Sequence, residues 1–111
     1  FHSELMIESS NLFESKISDI VFKDVEIEVI SNHMLINYKN ISKTEYSNQL
    51  KAQIHSPVMW SDTIQKIIST NVENFIEIGP KKTLLNFIPR NFAGDKISIT
   101  NNEEFENYVW K

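Results

Sequence analysis

The sequence contains no cysteine, two glycines and a single arginine, and each shortage closes off some chemistry. Without cysteine there are no disulfides, no thiolate zinc ligands and no cysteine nucleophile, and an intracellular setting fits. Gly79 and Gly94 stand alone, so the chain has neither a Gly-rich phosphate loop nor a GxSxG nucleophile elbow. Arg90 is the only arginine, the lysines are spread along the chain, and the formal charge is -4. Phosphate backbones are gripped by clustered cations, so nucleic acid is not an expected partner. No apolar run reaches membrane-spanning length and no signal peptide precedes the first helix, so no membrane is expected either. His2, His33 and His55 lie far apart with no HxxxH spacing, which argues against a metal site.

What is present suits a globular protein. The chain has 111 residues, 41% hydrophobic and 11% aromatic. That is enough for one domain with a modest core and argues against disorder.

The apolar periodicity predicts alternating elements. Ser3 is placed to cap a helix over 4–19, with Leu5, Leu12, Phe13, Ile17 and Ile20 on its buried stripe. Val25, Ile27 and Val29 alternate with Glu26 and Glu28, which predicts a strand ending at Ser31-Asn32. A polar loop over 37–42 leads to a helix over 45–54, capped by Thr44 and ended before Pro57. Ser61 caps a helix over 62–70 that buries Ile64, Ile67 and Ile68. Residues 74–78 read as a strand closed by Gly79-Pro80, residues 83–88 as a short helix stopped by Pro89, and residues 97–99 as a third strand. Asn102 opens a last helix carrying Phe105, Val109 and Trp110. An α-β-α-α-β-α-β-α order favours a mainly parallel sheet covered by helices. Three short strands are few for such a sheet, so the pattern reads as the end of a larger α/β domain.

On residue types alone, no side chain demands a catalytic role. His2 reads as a terminal residue, and His33 and His55 as polar surface or loop residues. Glu77 reads as a strand residue on a wetter face. Lys81 and Lys82 read as exposed lysines at a turn.

Three stretches taken in order change that balance: Phe1-His2-Ser3-Glu4-Leu5-Met6, the QIHSPVMW run at 53–60, and the FIEIGPKKTLL run at 75–85. With the EVISN run at 28–32 between the first two, they resemble the C-terminal part of the malonyl-CoA:acyl carrier protein transacylase family, which includes the acyltransferase domains of fatty acid and polyketide synthases. The likeness covers residues 1 to about 92. It implies that residues 1–111 are the C-terminal portion of one α/β-hydrolase-like acyltransferase domain, with short mainly parallel strands and flanking helices. It implies transfer of malonyl from CoA through an acyl-serine to the phosphopantetheine thiol of an acyl carrier protein, in the cytoplasm and with no bound cofactor. The position matching the family's general base is His2. Gln53 matches the residue whose backbone carbonyl orients that base, in place of a triad acid. Phe1 matches an aromatic position that goes with malonyl over methylmalonyl selection.

The chain also departs from the pattern. Lys81 stands where the family often has glycine, which would strain the turn if that position needs positive φ. The serine elbow, the oxyanion-hole glutamine and the carboxylate-binding arginine belong to a missing N-terminal part, and Arg90 does not match that arginine. The expected partners are therefore that part and an acyl carrier protein. Alone, the segment is expected to be inactive and poorly stable. The other readings are a non-catalytic remnant serving as a docking module, and an unrelated α/β domain in which His2 lies far from Gln53.

Overall fold

Helix α1 (Ile7–Ile17) follows a 3-10 turn over Glu4–Met6, in a computed structural model that describes residues 1–108. The described chain divides into two compact units, the first over Phe1–Thr63 and the second beginning at Ile64.

In the first unit, α1 packs on α2 (Lys43–His55). The face it buries differs from the expected stripe. Ser10 is fully buried and Ile17 nearly so, with Phe13 and Glu14 between them half-buried. Leu5 and Leu12 lie on the opposite face, 92% and 62% exposed. The reason is polar. The Ser10 hydroxyl donates to the Lys51 carbonyl at 2.8 Å, and the Lys51 ammonium meets the Glu14 carboxylate at 2.6 Å. A small hydroxyl lets the two backbones approach, and its hydrogen bond offsets the cost of burying it.

Ser3 offers no capping hydroxyl; its carbonyl accepts from the Met6 N–H. The cap of α2 lies two residues before the expected Thr44. Glu45 reaches back to the Ser42 N–H at 3.0 Å, one arm of a capping box. This contact with the Ser42 backbone holds the Glu45 carboxyl below its usual range. The loop before α2 contains a 3-10 turn over Tyr38–Asn40, started by Asn37 Oδ1 accepting from the Lys39 N–H at 3.0 Å.

The strand expected over 25–30 does not form. Only an antiparallel bridge between Ile30 and Asn37 is present, supported by the Ser31 N–H on the Ile36 carbonyl and the Tyr38 N–H on the Val29 carbonyl. Ile27 is 75% exposed. The alternating pattern is there, but no described strand lies beside it, and a lone strand cannot satisfy its backbone.

Helix α3 (Trp60–Ile68) starts earlier than expected. The Met59 carbonyl, not Ser61, makes the opening contact, accepting from the Thr63 N–H at 3.0 Å. Asn71, with φ 60°, ends the turn that follows α3.

In the second unit, β1 (Asn74–Ile78) pairs in parallel with β2 (Asp95–Ile99), with Ile76 opposite Ile97 and Glu77 opposite Ser98. Ile99, Ile64, Ile88 and Leu85 are its most buried apolar residues. The short helix expected over 83–88 is a 3-10 turn, Leu84–Phe87. Glu77 supplies its cap: the N–H groups of Thr83, Leu84 and Leu85 all donate to the Glu77 carboxylate, at 2.9 to 3.0 Å. Those backbone donors, Leu84 first, hold the Glu77 carboxyl below its usual range. Lys81 does not have positive φ, so the Gly79-Pro80-Lys81-Lys82 turn accepts it without left-handed strain. At Gly94 a side chain would strike the Glu73 carbonyl and the Phe92 ring, which explains the glycine. Helix α4 (Asn102–Asn107) is capped one residue earlier than expected, by Asn101 accepting from the Glu104 N–H at 2.9 Å. Val109 and Trp110, expected on this helix, lie outside the described residues.

The two parallel strands with flanking helices agree with the expected α/β class; of the three expected strands, the one over 25–30 is missing among the described residues. No described helix is long and apolar enough to cross a membrane.

Candidate active site

The last turn of α2 is where the sequence produces an unusual acceptor. In a helix, a carbonyl is satisfied by the N–H four residues on, and the final carbonyls are orphans. The Ala52 carbonyl still finds its donor in the Ser56 N–H at 3.0 Å. The donor for Gln53 would be residue 57, which is proline and has no N–H. Pro57 also favours extended geometry in the residue before it, and Ser56 sits at φ -96°, ψ 150°. The Gln53 carbonyl is therefore free by construction.

His2 fills that vacancy. Its Nδ1 lies 3.0 Å from the Gln53 carbonyl oxygen and 3.3 Å from that of Ser56. Its own N–H donates to the Ile54 carbonyl at 2.9 Å. Carbonyl oxygens only accept, so Nδ1 must carry the proton. In the neutral ring the lone pair is then on Nε2. His2 has φ 61°, a left-handed conformation uncommon outside glycine, though histidine is among the residues enriched there. Two separate contacts, main-chain N–H and ring, hold it in place. Phe1 is 83% exposed, and its ring centroid is 6.2 Å from that of His2, at an interplanar angle of 55°. Sequence reasoning thus named His2, Gln53 and Phe1 from regions some fifty residues apart, and the structure brings all three together.

The Gln53 side chain points into a different set of contacts. Its Nε2 donates to the Tyr38 hydroxyl at 2.9 Å. Tyr38 is buried, and its ring meets the edge of Tyr46 at 5.3 Å, which in turn meets Phe22 at 5.7 Å. These residues line an open cleft of about 500 Å³, with Val29 and Leu50 on its apolar wall.

The other histidines differ from the sequence reading. His55 is half-buried, its Nδ1 3.1 Å from Ser10 Oγ. Because the Ser10 proton is committed to Lys51, Nδ1 of His55 is the donor. His33 is 7% exposed, and neither ring nitrogen has a partner among the described residues. Burial first, and then the nearby His55, push its pKa below 6.5. An isolated His between Asn32 and Met34 carries no burial signal in sequence.

A pH dependence follows. A base whose folded pKa lies below its unfolded value stays neutral while the unfolded chain takes up a proton. Its contribution is complete above 6.5 and is lost as pH falls through the folded value. The urea midpoint is expected to drop on acidification below 6.5, and His33→Leu to flatten part of that slope. An unchanged slope in the variant would assign the acid sensitivity elsewhere.

No protein-family model matches the sequence. The malonyl CoA-acyl carrier protein transacylase of Buchnera aphidicola is 33% identical over 108 residues, covering 97% of this chain and 33% of the relative. The crystal structure of an acyl-carrier-protein S-malonyltransferase from Bartonella henselae superposes with a TM-score of 0.83 at 25% identity, over 96% of this chain and 33% of that one. The chain belongs to the malonyl CoA-acyl carrier protein transacylase family. It corresponds to a C-terminal part of that family and spans about a third of the length of the transacylases it matches. A chain in the solved complex of a type II polyketide synthase acyl-carrier protein with its malonyl-transacylase shares the fold, with a TM-score of 0.80 at 20% identity over 95% of this chain and 34% of that one.

Proposed function

We propose that this chain supplies the general-base portion of a malonyl-CoA:acyl carrier protein transacylase. The observation that carries the proposal is the His2 ring, whose Nδ1 proton is held by the Gln53 carbonyl and whose Nε2 is left as the base. The nucleophile is a serine outside these 111 residues, since no GxSxG elbow occurs within them. Nε2 takes the serine proton as the hydroxyl oxygen attacks the malonyl thioester. The tetrahedral adduct collapses, the CoA thiolate leaves with the proton from the imidazolium, and a malonyl-serine ester remains. The phosphopantetheine thiol of an acyl carrier protein then gives its proton to Nε2 and attacks the ester. Serine leaves and recovers the proton. Gln53 keeps Nδ1 as the protonated nitrogen throughout. Phe1, beside His2, narrows the space at the acyl α-carbon, and excluding one methyl there is worth about 1–3 kcal/mol. The other portion of the acyltransferase domain and the carrier protein are the partners in this reading, and the cytoplasm its setting.

Denaturing intact mass of the polypeptides carrying this chain and the serine portion, before and after malonyl-CoA, tests it. The expected result is one malonyl group on a serine outside residues 1–111, discharged by holo carrier protein. Absence of any adduct would favour a non-catalytic remnant acting as a docking module.

A further inference from the structure

We propose that Tyr38 is a positioning residue for His2, acting through the side chain of Gln53; the inference rests on the reading of His2 as base. Gln53 has two roles at once. Its carbonyl receives the His2 Nδ1 proton, while its amide nitrogen donates to the Tyr38 hydroxyl at 2.9 Å. The residue sits in the last turn of α2, where Pro57 withholds the hydrogen bond that would otherwise fix this carbonyl. Last turns fray, so the direction of a free carbonyl there is set by whatever holds its side chain.

Tyr38 is suited to that task. It is 7% exposed, follows the Asn37 cap of a 3-10 turn, and is braced edge-on by Tyr46. Burial pushes its hydroxyl pKa up, so it stays a neutral acceptor across the working range. A rigid aromatic thus anchors a long amide side chain, and the amide anchors the carbonyl that selects the His2 tautomer. No feature of the sequence motif around Gln53 points to a tyrosine fifteen residues upstream.

The test uses the malonyl-transferring protein that carries this chain. Tyr38→Phe removes the acceptor and keeps the ring. The expected result is a kcat roughly fivefold lower, the size of one neutral hydrogen bond, with KM for malonyl-CoA unchanged. On a Gln53→Met background the Tyr38→Phe loss is expected to vanish, because the shared link is already cut. In ¹⁵N NMR of the imidazole, the share of the Nδ1–H tautomer of His2 is expected to fall in Tyr38→Phe. An unchanged kcat, or an equal loss on the Gln53→Met background, overturns the role. If the wild type transfers no malonyl, the reading of the base fails, and the His2 tautomer signal alone decides Tyr38: no change in Tyr38→Phe overturns it.

Discussion

In the transfer proposed above, His2→Ala is expected to lower the single-turnover rate of acylation by roughly a thousandfold, within the range for loss of a positioned general base. Without Nε2 the serine proton has no acceptor of suitable basicity, so attack must proceed from a neutral hydroxyl. Alanine also sits poorly at the φ of 61° found at this position. His2→Asn is therefore the sharper variant. Asparagine tolerates the left-handed region, and its side-chain amide can still donate to the Gln53 carbonyl, yet it offers no base. Quenched-flow measurement of malonyl-enzyme formation should show both variants slow, with malonyl-CoA affinity nearly unchanged. A rate for His2→Asn within a few-fold of wild type would remove His2 from proton transfer.

Pro57→Ala is expected to lower kcat by ten- to a hundredfold without touching any reacting group. Alanine restores an N–H at residue 57 and releases Ser56 from its bias towards extended geometry. The N–H then competes for the Gln53 carbonyl, α2 gains a residue, and His2 Nδ1 loses its partner at 3.0 Å. Misplacing a base by about 1 Å is enough to cost two orders of magnitude. Two readouts separate this from simple destabilisation. The amide of residue 57 becomes protected from exchange, and the Nδ1–H tautomer of His2 is no longer dominant. An active variant with a frayed, unprotected residue 57 would show that proline is not what keeps the carbonyl free.

The nearness of His2 and Gln53 was foreseen only through the resemblance of their motifs, because residue types alone singled out neither. Pro57 was read as the end of α2, but the carbonyl that it leaves free at Gln53 was not read from it. The strand at 74–78 was legible from its β-branched residues and the Gly79-Pro80 that closes it, while the strand at 95–99 was read two residues short, as 97–99, because Asp95 and Lys96 carry no β-branched signal. Where the reading failed, the deciding contact came from elsewhere in the chain. The apolar stripe of α1 was misassigned because Ser10, a polar residue, owes its burial to the Lys51 carbonyl. The pattern over 25–30 predicts a strand, but pairing depends on a neighbour that the described residues do not supply. Glu77 looked like a solvated strand residue, yet three backbone N–H groups use it as a cap. Its signal was present in the short spacing from Glu77 to the turn at Thr83, where exposed donors need an anion or an acceptor. The caps at Ser42 and Asn101 were each missed by one or two residues, since neighbouring Ser, Thr and Asn are equivalent on propensity.

The partner of His2 is a main-chain dipole, and that choice has an electrostatic consequence. A carboxylate behind the imidazole would raise the basicity of Nε2, but it would also add a fixed negative charge a few ångströms from the reacting carbonyl. Two like charges about 4 Å apart near a protein surface repel by about 4 kcal/mol. In the proposed reaction, the malonyl thioester brings its own carboxylate and CoA brings phosphates. A neutral acceptor orients the ring without opposing their approach. On the proposed reading, the carbonyl of Gln53 orients the ring and leaves room for an anionic acyl group, which suits a donor that carries charge at both ends.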